Sequence, residues 1–260
     1  MEEFISEFVN AGKRAEPLPV LREADICWEL GIWRTIDLRE KFNQFFYFPI
    51  EAKGVDGRKN FAYMLWDAVS ADIIPIYEDD EFKIPLDNTQ FVTQYTKADT
   101  VILEIVDENE NYEYKTVLVP KEFNSEEILQ IKLKEAWYID NLSSQQHVLI
   151  TGLAITRELY KEISGEKEYI GNVNLFWIPM LNTEVRNHLA RKEAYYEDNI
   201  ANLPSWMQIF SSRMFDSFIT REDNRMNRSI SDFLSGTDAI LESSRIEEKL
   251  LNISMDIWEY

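Results

Sequence analysis

The chain has 260 residues, of which 45% are hydrophobic and 13% aromatic, with eight glycines and eight prolines; this is ample for a packed core and unlike a disordered chain. Its formal charge of −20 argues against a free nucleic-acid binder, which must neutralise phosphates, and disfavours docking on anionic lipid through a basic surface. The single cysteine, Cys27, rules out an internal disulfide and a four-cysteine metal site, and it reads as a small hydrophobe beside Trp28.

Residues 1–21 read as an N-terminal arm. Phe4, Ile5, Phe8 and Val9 fit a short helix, and Pro17 and Pro19 then force an extended run. Such an arm either meets a partner surface or frays. Across 22–48 apolar and charged residues interleave. The first part alternates as a strand does, whereas Trp33, Ile36 and Glu40 fit helical spacing, and the reading adopted is mostly helix to Lys41, with Pro49 closing the segment.

Gly54 and Asp56-Gly57 mark a loop, and Phe61, Met64, Leu65, Ala68 and Val69 share one face of a helix over 58–72. Ile73–Tyr77, interrupted by Pro75, suits an edge strand. Glu78–Glu81 reads as a solvated acidic turn before Phe82–Leu86, and a short helix follows around 88–95.

The middle of the chain is β-rich. Val101–Val106 and Tyr112–Val119 flank the polar turn Asp107–Asn111 as a hairpin. Residues 129–139 alternate with one buried face, 147–155 read as a central strand covered on both faces, and Val173–Ile178 is a further strand closed by Pro179. Later, Asn182 or Thr183 caps a helix to about 196, and Ser205 with Gln208 fits a capping box. Residues 214–220 turn extended, and 238–251 form a helix before Asp256-Ile257-Trp258-Glu259-Tyr260.

Chemistry-bearing motifs are sparse. No G-x-S-x-G elbow and no phosphate-binding glycine loop occurs. His147, at a strand end, and His188, on a helix surface, have no metal-spaced neighbours. The run Glu78-Asp79-Asp80-Glu81 lacks the alternating ligands and glycine of a calcium loop. Catalytic, cofactor and metal residues are therefore expected to be none. Paired carboxylates keep a hydrolase open as an alternative, and a soluble cargo-binding adaptor is a third.

Several stretches together resemble the GldN/PorN family. They are Ile26–Lys41, with the core Trp33-Arg34-x-Ile36-Asp37-Leu38-Arg39-Glu40-Lys41; Asp79-Asp80-Glu81-Phe82 before Pro85-Leu86; Lys134-Glu135-x-Trp137-Tyr138; Ile150-Thr151-Gly152-Leu153-Ala154; Leu175–Ile178; Asp232-x-x-Ser235-Gly236; and the closing Asp256–Tyr260. The resemblance spans 22–260. It implies a non-enzymatic, periplasmic subunit of the type IX secretion and gliding-motility machinery of Bacteroidota-type bacteria, with a signal peptide removed ahead of this sequence. It further implies a ring built with copies of itself and an outer-membrane lipoprotein, GldK/PorK. Contact with the periplasmic region of GldM/PorM, in the GldL–GldM motor, is implied too, without nucleic acid and without insertion in the membrane.

The expected fold is α+β: a central antiparallel sheet with N-terminal helices and a helical C-terminal extension. The expected division is an arm at 1–21, an α+β domain at 22–223 and the extension at 224–260. Trp33, Ile36 and Leu38 are read as anchors to the core. Arg34, Arg39 and Glu40, with Phe4, Phe8, Ile257, Trp258 and Tyr260 at the ends, are the candidate interface residues.

Overall fold

A computed structural model describes residues 13–96, 99–106, 112–119, 122–163, 166–195 and 203–258. Its centre is an antiparallel, seven-stranded sheet of order β3-β2-β8-β7-β6-β1-β9. These strands are β1 (Ile26–Asp37), β2 (Ile76–Tyr77), β3 (Pro85–Leu86), β6 (Ile128–Asp140), β7 (Gln145–Ile163), β8 (Glu166–Pro179) and β9 (Phe218–Glu222). A separate hairpin, β4 (Asp99–Val106) with β5 (Tyr112–Val119), pairs from Asp99↔Val119 to Val106↔Tyr112. The fold class is α+β. The anticipated turn Asp107–Asn111 lies outside the described residues, as do Phe4, Phe8 and Tyr260.

The main correction concerns the N-terminal helix read to Lys41. Residues 26–37 instead form the long strand β1. It pairs with β6 from Ile26↔Asp140 to Asp37↔Gln130, and with β9 through Ile32↔Glu222 to Thr35↔Phe218. Strand pairing on both sides satisfies the backbone, and the period-two pattern of Ile32, Arg34 and Ile36 on one face overrides the helical spacing. Helices do occur in the N-terminal half, but later: α1 (Gln44–Tyr47), α2 (Phe61–Ser70) and α3 (Asn88–Tyr95). The extension becomes α6 (Thr237–Trp258), while α4 (Thr183–Arg191) stops five residues short of the expected end and α5 (Trp206–Ser211) starts at its Ser205 cap.

All the larger helices lie on one face of the sheet. Over its middle, Ile36, Ile131, Leu133, Leu153, Ile155, Phe176 and Ile178 meet Phe46, Phe61, Leu65, Trp206 and Phe210. Over the β1–β9 end, Ile32 and Ile219 meet Ile230, Ile246 and Leu250, the last two from α6. Rings of Phe46, Phe61, Trp206 and Phe210 sit at centroid distances of 4.9–5.8 Å, tilted or edge-on, as aromatic quadrupoles prefer.

Buried asparagines tie the loops to this core. Asn60 caps α2 by accepting from the Tyr63 amide at 2.9 Å, and its Nδ2 donates to the Tyr47 and Pro49 carbonyls and to Ser125 Oγ. Asn43 likewise donates to the Asp37 and Asp216 carbonyls and accepts from the Asp216 amide. Asn60→Ala removes a cap and strands buried carbonyls, so a loss of about 2–4 kcal/mol in urea denaturation is expected. Asn124→Ala, which removes a solvent-exposed acceptor for the Glu126 amide, should cost under about 1 kcal/mol.

Candidate functional site

Two polar clusters, one on each face of the β1–β6 pair, gather the chemistry-bearing residues. On the helix-covered face sits the Glu135 carboxylate, 1% exposed. It accepts from Arg34 Nε at 3.2 Å, Arg213 Nη1 at 2.7 Å and Trp137 Nε1 at 2.8 Å. Arg34 reaches on with Nη1 to Glu247 of α6 at 2.8 Å. The guanidinium of Arg213 also lies over the rings of Trp137 and Phe215. The network bridges the two apolar cores and couples three elements to β6: strand β1, the segment after α5, and α6.

Strand alternation puts Trp33, next to Arg34, on the other face. Its cross-strand neighbours are Lys134 on β6 and Arg221 on β9. Arg221 Cζ lies 3.5 Å from the Trp33 ring centroid and Lys134 Nζ 5.3 Å from it, so the ring is flanked by two cations. Asp80 closes the cluster: it accepts from Trp33 Nε1 at 2.7 Å and Arg221 Nη2 at 2.8 Å, and its carbonyl accepts from Lys134 Nζ at 2.7 Å. Burial, with Arg221 nearby, lowers the pKa of Lys132 on the same face, and Asp80 only partly opposes this.

The run Glu78–Glu81 is a turn as expected, with Glu78 and Glu81 exposed, but its two aspartates are engaged by the chain. Asp80 is held by the sheet, and Asp79 turns the loop by accepting from the Lys83 and Ile84 amides. Phe82 then lies over Gly152: a Cβ there would stand 2.7 Å from Phe82 Cζ. Glycine at 152 is the space into which the loop's aromatic ring fits.

Arg39 and Glu40 sit just past β1 and are exposed. Arg39 forks onto Asp37, with Nη2–Oδ2 at 2.6 Å, and reaches Glu158 on β7 at 3.1 Å. Burial alone would raise the pKa of Asp37, but the Arg39 contacts prevail and lower it. Burial, then Asp216 and Asp37, raises that of Glu40. Arg34 differs from these two: it is buried and faces carboxylates of its own chain, so it is not an outward contact. The arm meets the body before Pro17: the Ala15 amide donates to Asn187 of α4, Arg186 to the Glu16 carbonyl, and Lys13 pairs with Glu193. Ile257 and Trp258 belong to the last turn of α6. Cys27 is exposed and packs in neither core; its Sγ–H donates to the Ile139 carbonyl.

An open groove of about 390 Å³ beside α2 is lined by Tyr63, Trp66, Phe123 and Ala52, with Asp67 held by Lys59 Nζ at 2.6 Å. Among the described residues no three His, Cys, Asp or Glu side chains are grouped to hold a metal ion, and no helix is long and apolar enough to cross a membrane.

The family model for gliding motility associated protein GldN matches residues 21–259. The chain belongs to the GldN family. It is accordingly a component of gliding motility and type IX secretion, from a family of secretion components and not a known enzyme family. No curated protein matches the chain. In this GldN protein four of the stretches that carried the resemblance, far apart in sequence, converge in space. Trp33, Asp80, Phe82, Lys134 and Gly152 meet on one face, and Arg34, Glu135 and Trp137 on the other.

Sequence reasoning singled out Trp33–Lys41 but missed Glu135, Arg213, Arg221 and Glu247 as its partners. Removing one member of a buried pair leaves an uncompensated charge. Arg34→Met and Glu135→Leu are therefore each expected to cost about 3–5 kcal/mol, and the double variant less than their sum, read from denaturation midpoints in a double-mutant cycle.

His188 is not a surface residue as expected. It is half-buried on α4, its Nε2 has no hydrogen-bond partner among the described residues, and burial, then Lys192 and Arg191, lowers its pKa to about 4. The unfolded imidazole binds its proton first as pH falls, so this contribution is complete above the unfolded pKa of about 6.5 and is lost toward pH 4. Melting temperature should fall across that window, and His188→Gln should flatten the fall; an unchanged pH profile in the variant would assign the loss to other groups.

Proposed function

We propose that this GldN protein is a non-enzymatic structural subunit that works in the periplasm. It builds a ring with copies of itself and with the outer-membrane lipoprotein GldK/PorK, and it connects to the GldL–GldM motor through the periplasmic region of GldM/PorM. A subunit of a load-transmitting assembly needs a body whose strand register and helix positions are set internally. The observation that carries the reading is the use of the family-bearing segments. Their charged residues pair within the chain around Glu135 and Asp80, instead of lining an open cleft. Ring growth then proceeds by a heterologous contact repeated until it closes. Arg39 and Glu40, exposed past β1, together with Phe4, Phe8, Ile257, Trp258 and Tyr260 at the chain ends, are the proposed contact residues.

The test is co-expression with the lipoprotein and a mass measurement of the purified complex. The expected product contains many copies of both chains. Arg39→Ala with Glu40→Ala should weaken assembly by about tenfold or more while leaving the melting temperature of the isolated chain within a few degrees. A complex that stops at one copy of each partner would contradict the ring, and release of the protein from the cytoplasmic fraction alone would contradict the location.

A further inference from the structure

Helix α6 is apolar on two sides. Its inner side places Ser243, Ile246 and Leu250 against the β1–β9 end of the sheet. Its outer side carries Ile240, Leu241, Leu251 and Met255, exposed by 67%, 66%, 60% and 58%. At roughly 3.6 residues per turn these four fall, with Ser244 and Glu248, inside an arc of about 100°. Leu241, Glu248 and Met255 recur every seventh residue, and Ser244 and Leu251 form the second row of the same seam. That repeat is the one a second helix packs against, and the small Ser244 allows close approach.

The charges select the occupant. Glu242 is paired with Arg245, and Glu247 with Arg34. Glu248, in the middle of the apolar seam, has no partner among the described residues. A second copy fits poorly. In-register pairing, parallel or antiparallel about the seam's centre, sets Glu248 against Glu248, and an offset sets it against leucine. The chain's overall charge of −20 adds long-range repulsion between copies.

We infer that the outer face of α6 binds an amphipathic helix of another protein whose apolar seam carries a lysine or arginine opposite Glu248. Leu241, Leu251 and Met255 supply the buried area, and the cation opposite Glu248 fixes register and selects the partner. This inference stands apart from the ring reading, since it concerns one face and one binary contact.

Two designed helical peptides test it on the full chain by fluorescence anisotropy. Both carry the apolar seam; one has lysine and the other glutamate at the position facing Glu248. The lysine peptide should bind at least about tenfold more tightly, the preference should reverse in Glu248→Lys, and Leu251→Asp should abolish both interactions. The melting temperature should not change in either variant, because both positions are exposed. Equal binding of the two peptides, or no binding, overturns the inference. So does sedimentation showing a dimer of this chain that Leu251→Asp dissolves, which would make a second copy the occupant. Leu251-dependent binding to phosphatidylcholine vesicles would assign the face to a membrane surface and overturn it as well.

Discussion

A carboxylate taken out of water under a sheet persists as an anion only if cations and donors replace its hydration shell. Glu135 meets that condition with two arginines and an indole from three different segments. Much of the arrangement of the β1–β9 end follows from it. Arg34 must point inward, so Trp33 must point outward. Arg34 then has a free donor for Glu247, which fixes one point on α6. Arg213 must come back over β6, which holds the chain between α5 and β9. A buried ion pair of this kind contributes modestly to net stability compared with apolar packing. Its stronger effect is on register.

That effect can be traced along β1. Slipping β1 by one residue against β6 exchanges its two faces. Arg34 would be carried to the side of Lys132, Lys134 and Arg221, and the Trp33 indole into the apolar layer away from Asp80. Both clusters would fail together, one through like-charge crowding and the other through loss of a hydrogen bond. The two polar sites therefore act as opposite halves of one register lock. The loop 78–84 is part of it, because Asp80 and Phe82 can seat only where Trp33, Lys134 and Gly152 coincide.

Much of the fold was legible in local pattern. Helix α2 declared itself by one apolar face, β6 by alternation, and β7, at the middle of the sheet, by its continuous apolar run, and α3 lies where a short helix around 88–95 was expected. Strand β1 was not legible, because its charged residues interleave with apolar ones in a way that fits both periods; two partner strands, distant in sequence, decided for the strand. The site was half legible for the same reason. The segment Trp33–Lys41 stood out, but its partners lie 101 and 213 positions away, at Glu135 and Glu247, and nothing in local spacing announces them. In the acidic run 78–81 the turn was legible, but not the seat of Asp80, because four adjacent carboxylates look alike until a cationic sheet face is placed beside one of them.

The sheet edges narrow the ways in which this protein can associate. The outermost strands are short: β3 has two residues, and β9 has five with α6 packed beside it. The β6 pairing stops at Ile128↔Arg157 while the β7–β8 hairpin continues to Ile163↔Glu166, and β2 meets β8 only at Tyr77↔Trp177, so both strands of the hairpin have an open outer edge there. At its tip the hairpin is dense in charge, and the register sets Lys161 opposite Glu168 and Glu162 opposite Lys167. Charged residues on an open strand edge discourage another strand from adding to it. Strand addition is thus disfavoured at β3, at β9 and at the charged tip of the hairpin, whereas the open run of β8 around Tyr169, Ile170 and Val173 lacks that protection. Away from the strand edges, the outer side of α6 and Arg39 and Glu40 just past β1 are exposed. Both adjoin the register lock, α6 through the Arg34–Glu247 pair and the residues past β1 through Arg39 on Asp37.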